Sequence, residues 1–324
     1  MTGPLRISIA LCTCEGERFL REQLESIRLQ ARPPDEIVVC DDASGDGSAE
    51  IVERFAGECP FPVRFFRNER RLGSTRNFEK SIGLCPGDVI VLSDQDDVWR
   101  PGKLARMEEI FSGDPAIGAV FTDGEVVDEA LRPQGFGLWH AHRMNRFQKA
   151  CLRRADLFGA LLNRNLATGA TMAFRSRFLP LVLPIPGGWV HDGWIALLIA
   201  AVAKVEAVPE PWILYRLHEH QQIGAERKGL EGRIATAKNT GFEEYRGMAE
   251  RYGEVLDRLR FFGNVSPEVL RSIEGKIAHL AFRADRRRNA GSPVRVAREL
   301  LLMRYRRYSD GWKSVLKDLI LPGA

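Results

Sequence analysis

Asp94 and Asp96, two carboxylates one residue apart, follow the apolar run Val89–Leu92, and Asp97 comes directly after them. Carboxylates on a loop behind a buried strand are costly to leave unpaired. A divalent cation is a natural partner, because Mg2+ and Mn2+ take hard oxygen ligands and commonly share them with substrate phosphates. The same residues also read as an acidic turn before a helix near Lys103, since aspartate is common in turns. A second acidic pair, Asp41-Asp42, ends Glu36–Cys40. Asp192 opens the helical run Trp194–Val202, where a carboxylate would also serve as a cap. His218 ends the run Trp212–Leu217, and neither His191 nor His220 stands at a zinc spacing from it.

Alternating strands and helices must position these groups. Leu5–Leu11 reads as a buried strand, and Phe19, Leu20, Leu24 and Ile27 then recur at helical spacing. Glu36–Cys40 is the next strand, and Asp41 to Ser48 is a cluster of turn formers ending in a helix cap. Val63–Phe66 and Val89–Leu92 are further strands, with a helix at Asn77–Ile82 between them. This alternation predicts an α/β fold with a mostly parallel sheet and helices on both faces. Ligands of such sheets bind beyond the carboxyl ends of the strands, so both acidic clusters should share one rim. Thr168–Phe174, Val205–Val208 and Trp212–Leu217 read as later strands, and a short helix from Ser176 is broken by Pro180.

From about Glu226 the pattern is helical: Val255–Phe261, Val269–Phe282, Val294–Met303 and Trp312–Leu321. We therefore divide the chain into a domain of residues 1–225 and a helical, basic region of residues 226–324. That region carries 21 Lys and Arg against 13 Asp and Glu, whereas the whole chain has a net charge of only +4. A basic tail suits a membrane surface, nucleic acid, an anionic acceptor or simply a solvated helical face. Trp312, Val315, Leu316, Leu319 and Ile320 recur at helical spacing beside Lys313 and Lys317, which suits an interfacial helix or one docked on the protein. No apolar run approaches the roughly 20 residues that span a bilayer. Six cysteines without a zinc or disulfide pattern indicate a reduced, cytoplasmic protein.

In their order and spacing, several segments resemble the family 2 glycosyltransferases: Ser8–Thr13, Glu22–Gln30, Pro34–Ser44, Asn77-Phe78-Glu79, Leu92–Trp99, Gly169–Met172, His191–Trp194 and Tyr215–His218. The resemblance covers about Ile7 to Gly224 and implies the nucleotide-diphospho-sugar transferase (GT-A) fold with a helical C-terminal region. It implies nucleotide contacts from Thr13, Glu15, Asp41, Asp42, Arg76 and Asp94, with Asp42 at the base and Asp94 at the ribose. Asp96 would ligate Mn2+ or Mg2+, helped by His218. Asp192 would be the base that deprotonates the acceptor hydroxyl. The chain departs from the family at Cys14-Glu15, where Tyr-Asn is usual, and so lacks that ring for stacking on the base.

Ser93–Trp99 and His191–Trp194 look similar to bacterial surface-polysaccharide enzymes of the rhamnosyltransferase type. They point to dTDP-rhamnose or a UDP-hexose as donor and a saccharide or lipid-linked saccharide as acceptor. Nucleic acid is not among the expected partners, while peripheral contact with the inner face of a membrane would use the basic region. A dinucleotide-dependent oxidoreductase is disfavoured, because residues 11–18 hold one glycine. A sugar nucleotidyltransferase would need a glycine-rich, basic first loop, which is absent. A non-catalytic binder on the same scaffold is the other alternative, and retention of Asp94, Asp96 and Asp192 argues for activity.

Overall fold

The computed structural model describes residues 4–142, 144–219, 242–285 and 293–320. Two compact units divide the chain: residues 1–143 with 167–225, and residues 144–166 with 226–324. Residues 144–166, expected in the first domain, therefore group with the C-terminal region. Polar bonds show why: Asn163 donates its side-chain amide to the carbonyls of Arg307 (2.9 Å) and Ser309 (3.1 Å). Lys276 in turn donates its ammonium to the Asn163 carbonyl.

The first unit is built on a sheet of nine strands. Its first four are β1 (Ile7–Thr13), β2 (Glu36–Asp41), β3 (Val63–Arg67) and β4 (Val89–Ser93). They lie in the order β3-β2-β1-β4 and pair in parallel. Every residue of β1, β2 and β4 is buried, as expected of strands covered on both faces. Helices α1 (Leu20–Arg28), α2 (Ser48–Glu58) and α3 (Ser74–Leu84) make the crossovers. Ser48 is the first residue of α2 and not its cap. Its hydroxyl accepts from the Gly16 amide at 2.8 Å and ties the first loop to the second.

Beyond β4 the sheet becomes mixed. A short β5 (Val98–Trp99) and helix α4 (Lys103–Gly113) lead to β6 (Ile117–Val127) and β7 (Pro133–Gly137). Further along come β8 (Met172–Arg175) and β9 (Lys204–Arg216). β8 lies antiparallel between β4 and β6, β9 runs parallel to β6, and β5 pairs antiparallel with β9. The two late strands expected at Val205–Val208 and Trp212–Leu217 are one strand. Its register against β6 slips between Thr122 and Asp123, where Pro209 and Pro211 interrupt the ladder. The sequence 168–174 is also not all strand: Gly169–Thr171 form a 3-10 turn before β8.

The helix α5 (His191–Val202) is buried on nearly every side. Its apolar run was long enough for a helix but gave no single outward face. In the second unit, helices span Phe242–Phe262, Pro267–Ala284, Pro293–Leu301, Arg304–Tyr308 and Trp312–Ile320. His220, Gly224 and Leu321 lie outside the described residues. All six cysteines are free. No helix among the described residues is long and apolar enough to cross a membrane.

Candidate active site

The strand register sets the site. Thr13 at the end of β1 lies opposite Asp41 at the end of β2, and Leu11 lies opposite Ser93 at the end of β4. The loops after all three strands thus leave from one rim, as expected. Gln95, between the two aspartates, joins two of those loops. Its amide oxygen accepts from the Thr13 hydroxyl and the Cys14 amide, each at 2.7 Å, and its amide nitrogen donates to the Cys14 carbonyl at 3.1 Å. Gly16 is required here, because a Cβ would stand 2.5 Å from the Gln95 oxygen.

The second loop is held by its own acids. Asp41 accepts from the Ser44 amide at 3.0 Å and from the Ser44 hydroxyl. Asp42 accepts from the Asn68 side chain (2.9 Å) and the backbone amides of Leu72 (2.7 Å) and Gly73 (2.9 Å). Both Asp42 oxygens therefore hold the loop 68–73 in this state. Glu15 adopts a left-handed backbone (φ 51°), accepts from the Gly45 amide at 3.0 Å and pairs with Arg71. Arg76, on the first turn of α3, pairs with Glu79 and not with a rim carboxylate.

The third loop concentrates negative charge. Burial, followed by the charges of Asp96 and Asp192, pushes the Asp94 carboxyl up to about 7, with Lys103 opposing. Asp97 is fully buried. One of its oxygens accepts from the Arg216 amide at 3.1 Å, and the other has no hydrogen-bond partner. Burial and its acidic neighbours raise its carboxyl well above the usual range. His218 Nε2 lies 2.8 Å from Asp96 Oδ2, while His218 Nδ1 makes no hydrogen bond.

Asp192 reaches the same cluster from α5. The helix cap is Val190, so Asp192 lies in the first turn and does not cap it. Its carboxylate accepts from the amides of Gly169 (3.1 Å) and Gly193. Two backbone donors fix it in place on a helix N-terminus, where the dipole favours negative charge. Asp94, Asp96, Asp192 and His218 are thus brought together, whereas Arg76 is not joined to them by any described bond.

Two cations at the site were not expected from sequence. Lys103 is fully buried, donates to the Ala170 carbonyl at 2.8 Å and stands 3.6 Å above the centre of the Trp99 ring. Burial lowers its ammonium to about 7, against the pull of Asp97 and Asp94. Arg216, also buried, donates to the Asp96 carbonyl at 2.8 Å and pairs with Glu22. Arg216 belongs to the Tyr215–His218 segment, but nothing in its spacing announces a buried guanidinium.

Among the described residues, no group of three or more His, Cys, Asp or Glu side chains is placed to hold a metal unaided. The donor chemistry nevertheless fits a cation that keeps part of its shell for substrate. Asp96 and His218 offer one oxygen and one nitrogen side by side. An orphaned Asp97 oxygen and a raised Asp94 mark a rim crowded with carboxylate. An anionic diphosphate would be repelled from this rim without added positive charge.

Comparison with known proteins agrees with this architecture. The model for Glycosyl transferase family 2 matches residues 8–175. An uncharacterized glycosyltransferase of Nostoc sp. is 25% identical over 260 residues, covering 76% of this chain and 72% of the relative. An abequosyltransferase of Salmonella typhimurium is 33% identical over 104 residues, 32% of this chain and 31% of that protein. Among solved structures, residues 1–349 of S. aureus TarS in complex with UDP-GlcNAc superpose with a TM-score of 0.58 at 14% identity, covering 99% of this chain and 82% of that 1–349 chain. The Pyrobaculum calidifontis mannosyltransferase PcManGT, in complex with GDP-Man and Mn2+, gives 0.53 at 18% identity, with 99% and 88% covered.

Proposed function

The chain belongs to glycosyl transferase family 2 and is a glycosyltransferase, and from that premise we propose an inverting, metal-dependent transfer of one sugar from a nucleotide diphosphate to a hydroxyl acceptor. The observation that carries this reading is the meeting of Asp192 with Asp94 and Asp96. Asp192 comes from a distant helix, yet its charge is among the causes that raise Asp94. The nucleotide sugars bound to TarS and PcManGT, which share the fold, support a nucleotide-sugar donor. The Mn2+ in PcManGT supports a divalent cation.

Asp192 is the base in this reading. It takes the proton of the acceptor hydroxyl as that oxygen attacks the anomeric carbon. The bond from that carbon to the diphosphate breaks with its electron pair, and the configuration inverts. Two backbone amides keep the carboxylate aimed while the acceptor is deprotonated. Asp96 and His218 would hold Mn2+ or Mg2+, which would stabilise the charge on the departing diphosphate. Asp94 faces the ribose, and Thr13, Glu15, Asp41 and Asp42 shape the nucleoside pocket through the first two loops. Arg76 approaches the diphosphate in this reading.

Residues 1–225 would carry the catalysis and 226–324 would be the helical appendage, to which residues 144–166 contribute. The donor is dTDP-rhamnose or a UDP-hexose and the acceptor a saccharide or lipid-linked saccharide, in surface-polysaccharide assembly on the cytoplasmic side. The test is calorimetric titration with UDP, dTDP and GDP, with and without Mn2+, on wild type and Asp96→Ala. Metal-dependent binding of dTDP or UDP, lost in the variant, is the expected result. A folded protein that binds none of the three would overturn the reading and leave a sugar or nucleotide binder without activity.

A further inference from the structure

The C-terminal helices of the second unit turn polar groups inward and apolar groups outward. Inside, Arg283 forms a two-bonded pair with Asp318, at 2.9 Å for each bond, and the Tyr305 hydroxyl donates to Asp318 at 3.0 Å. Glu299, Tyr305, Tyr308, Ser314 and Val315 are buried with them. Outside, Trp312 is 76% exposed, Leu316 58% and Leu319 57%. Their spacing of four and three places them on one face of Trp312–Ile320. Val315, which shares the periodic pattern, faces inward, so the helix is docked by Val315 and Asp318 and keeps the Trp312 stripe free.

The preceding helices continue this exposed character. Leu301 is 84% exposed, and Val294, Leu302 and Met303 are exposed as well. Scattered apolar side chains on a surface are ordinary, but so many within one short segment mark an interaction surface. Arg295, Arg298, Arg306, Arg307 and Lys313 are exposed among them. Asp310 is the only exposed acid among the described residues from 294 to 319.

We propose that this face seats on an anionic lipid bilayer, with the Trp312, Leu316 and Leu319 stripe in the headgroup boundary and the arginines on lipid phosphates. Exposed apolar, aromatic and cationic side chains interleaved along residues 294–319 suit that interface, where apolar groups enter the acyl boundary and cations meet phosphate. Charge argues against a second copy as occupant. A two-fold pairing would set the same cationic patch against itself with almost no acid to answer it. The proposal is independent of the donor and metal reading, and nucleotide titration of the same samples separates the two.

The test is sedimentation of the full chain with phosphatidylcholine vesicles, with and without a phosphatidylglycerol fraction. Two variants are compared with wild type: Trp312→Ser/Leu316→Ser/Leu319→Ser and Arg306→Glu/Arg307→Glu. Circular dichroism checks that each is folded, which the exposure of all five positions favours. Binding restricted to phosphatidylglycerol vesicles and weakened about tenfold or more in both variants supports the proposal. Absence of anionic-vesicle binding, or binding unchanged in the triple variant, overturns it. So does a wild-type dimer in light scattering that the triple variant abolishes, since the face would then meet a second copy.

Discussion

Asp192 shows how a single residue gains a chemical role from its surroundings. Its oxygens accept from the backbone amides of Gly169 and Gly193, and these two donors help set its direction. Asparagine keeps the shape and one accepting oxygen but cannot take a proton. Asp192→Asn should therefore lower turnover by about 10²–10⁴-fold, the range of a lost general base. Nucleotide affinity measured by calorimetry should be unchanged, and full turnover in the variant would move the base elsewhere. The acids at 41–42 and 94–97 were legible because turn residues after apolar strands point to a rim, whereas Asp192 was singled out by the family resemblance, its place at a helix start reading equally as a cap. Lys103 was not, because a lysine at a helix start ordinarily reads as solvated. Only the tertiary contact with Trp99 and the Ala170 carbonyl buries it. Gln95 was hidden for a similar reason: its clamp on Thr13 and Cys14 spans two distant loops.

At the scale of the element, the turn Gly169–Thr171 matters most. Sequence read a strand from Thr168, but the Thr171 amide and hydroxyl both donate to the Thr168 carbonyl at 2.9 Å and close a 3-10 turn. Small residues there allow backbone to approach α5. A Cβ on Gly169 would stand 2.7 Å from His191 Nε2, and that ring is stacked on Phe78 with centres 4.0 Å apart. The imidazole thus has little room to retreat. Gly169→Ala should cost about 1–3 kcal/mol in chemical denaturation, the usual penalty of overpacking. It should also lower turnover, because the displaced turn carries the amide that holds Asp192. Wild-type stability together with wild-type turnover would show that the turn gives way freely. The parallel half of the sheet was readable from alternating strands and helices. The antiparallel insertion of β8 was not, because a strand of four residues, three of them apolar, does not encode its direction of pairing.

At the scale of the molecule, the helical periodicity of the second unit was visible in sequence while its buried polar centre was not. His279 is fully buried, with Nδ1 2.7 Å from Glu299 and Nε2 3.3 Å from Ser309. Periodicity identifies the face on which such a histidine lies but not the acid that meets it from another helix. Burial lowers its imidazole, and the nearby cations Arg283 and Lys276 add to that effect, against the opposing pull of Glu299. The folded state therefore holds His279 neutral where the unfolded chain would bind a proton. Between neutral pH and about 5 the unfolded state takes up more protons near the ordinary histidine value of about 6.5, so stability falls as pH falls. Glu299 is held below its ordinary value, by the bonds from His279 and Arg304 against its burial, and its own contribution is lost only at lower pH. His279→Gln removes the titration and keeps a polar side chain. Its thermal midpoint should lie below wild type at neutral pH and converge on it toward pH 5. Each 1 kcal/mol corresponds to roughly 4 °C in a unit of this size. Parallel curves for the two proteins, with no convergence, would show that the acid sensitivity of the molecule arises from groups other than His279.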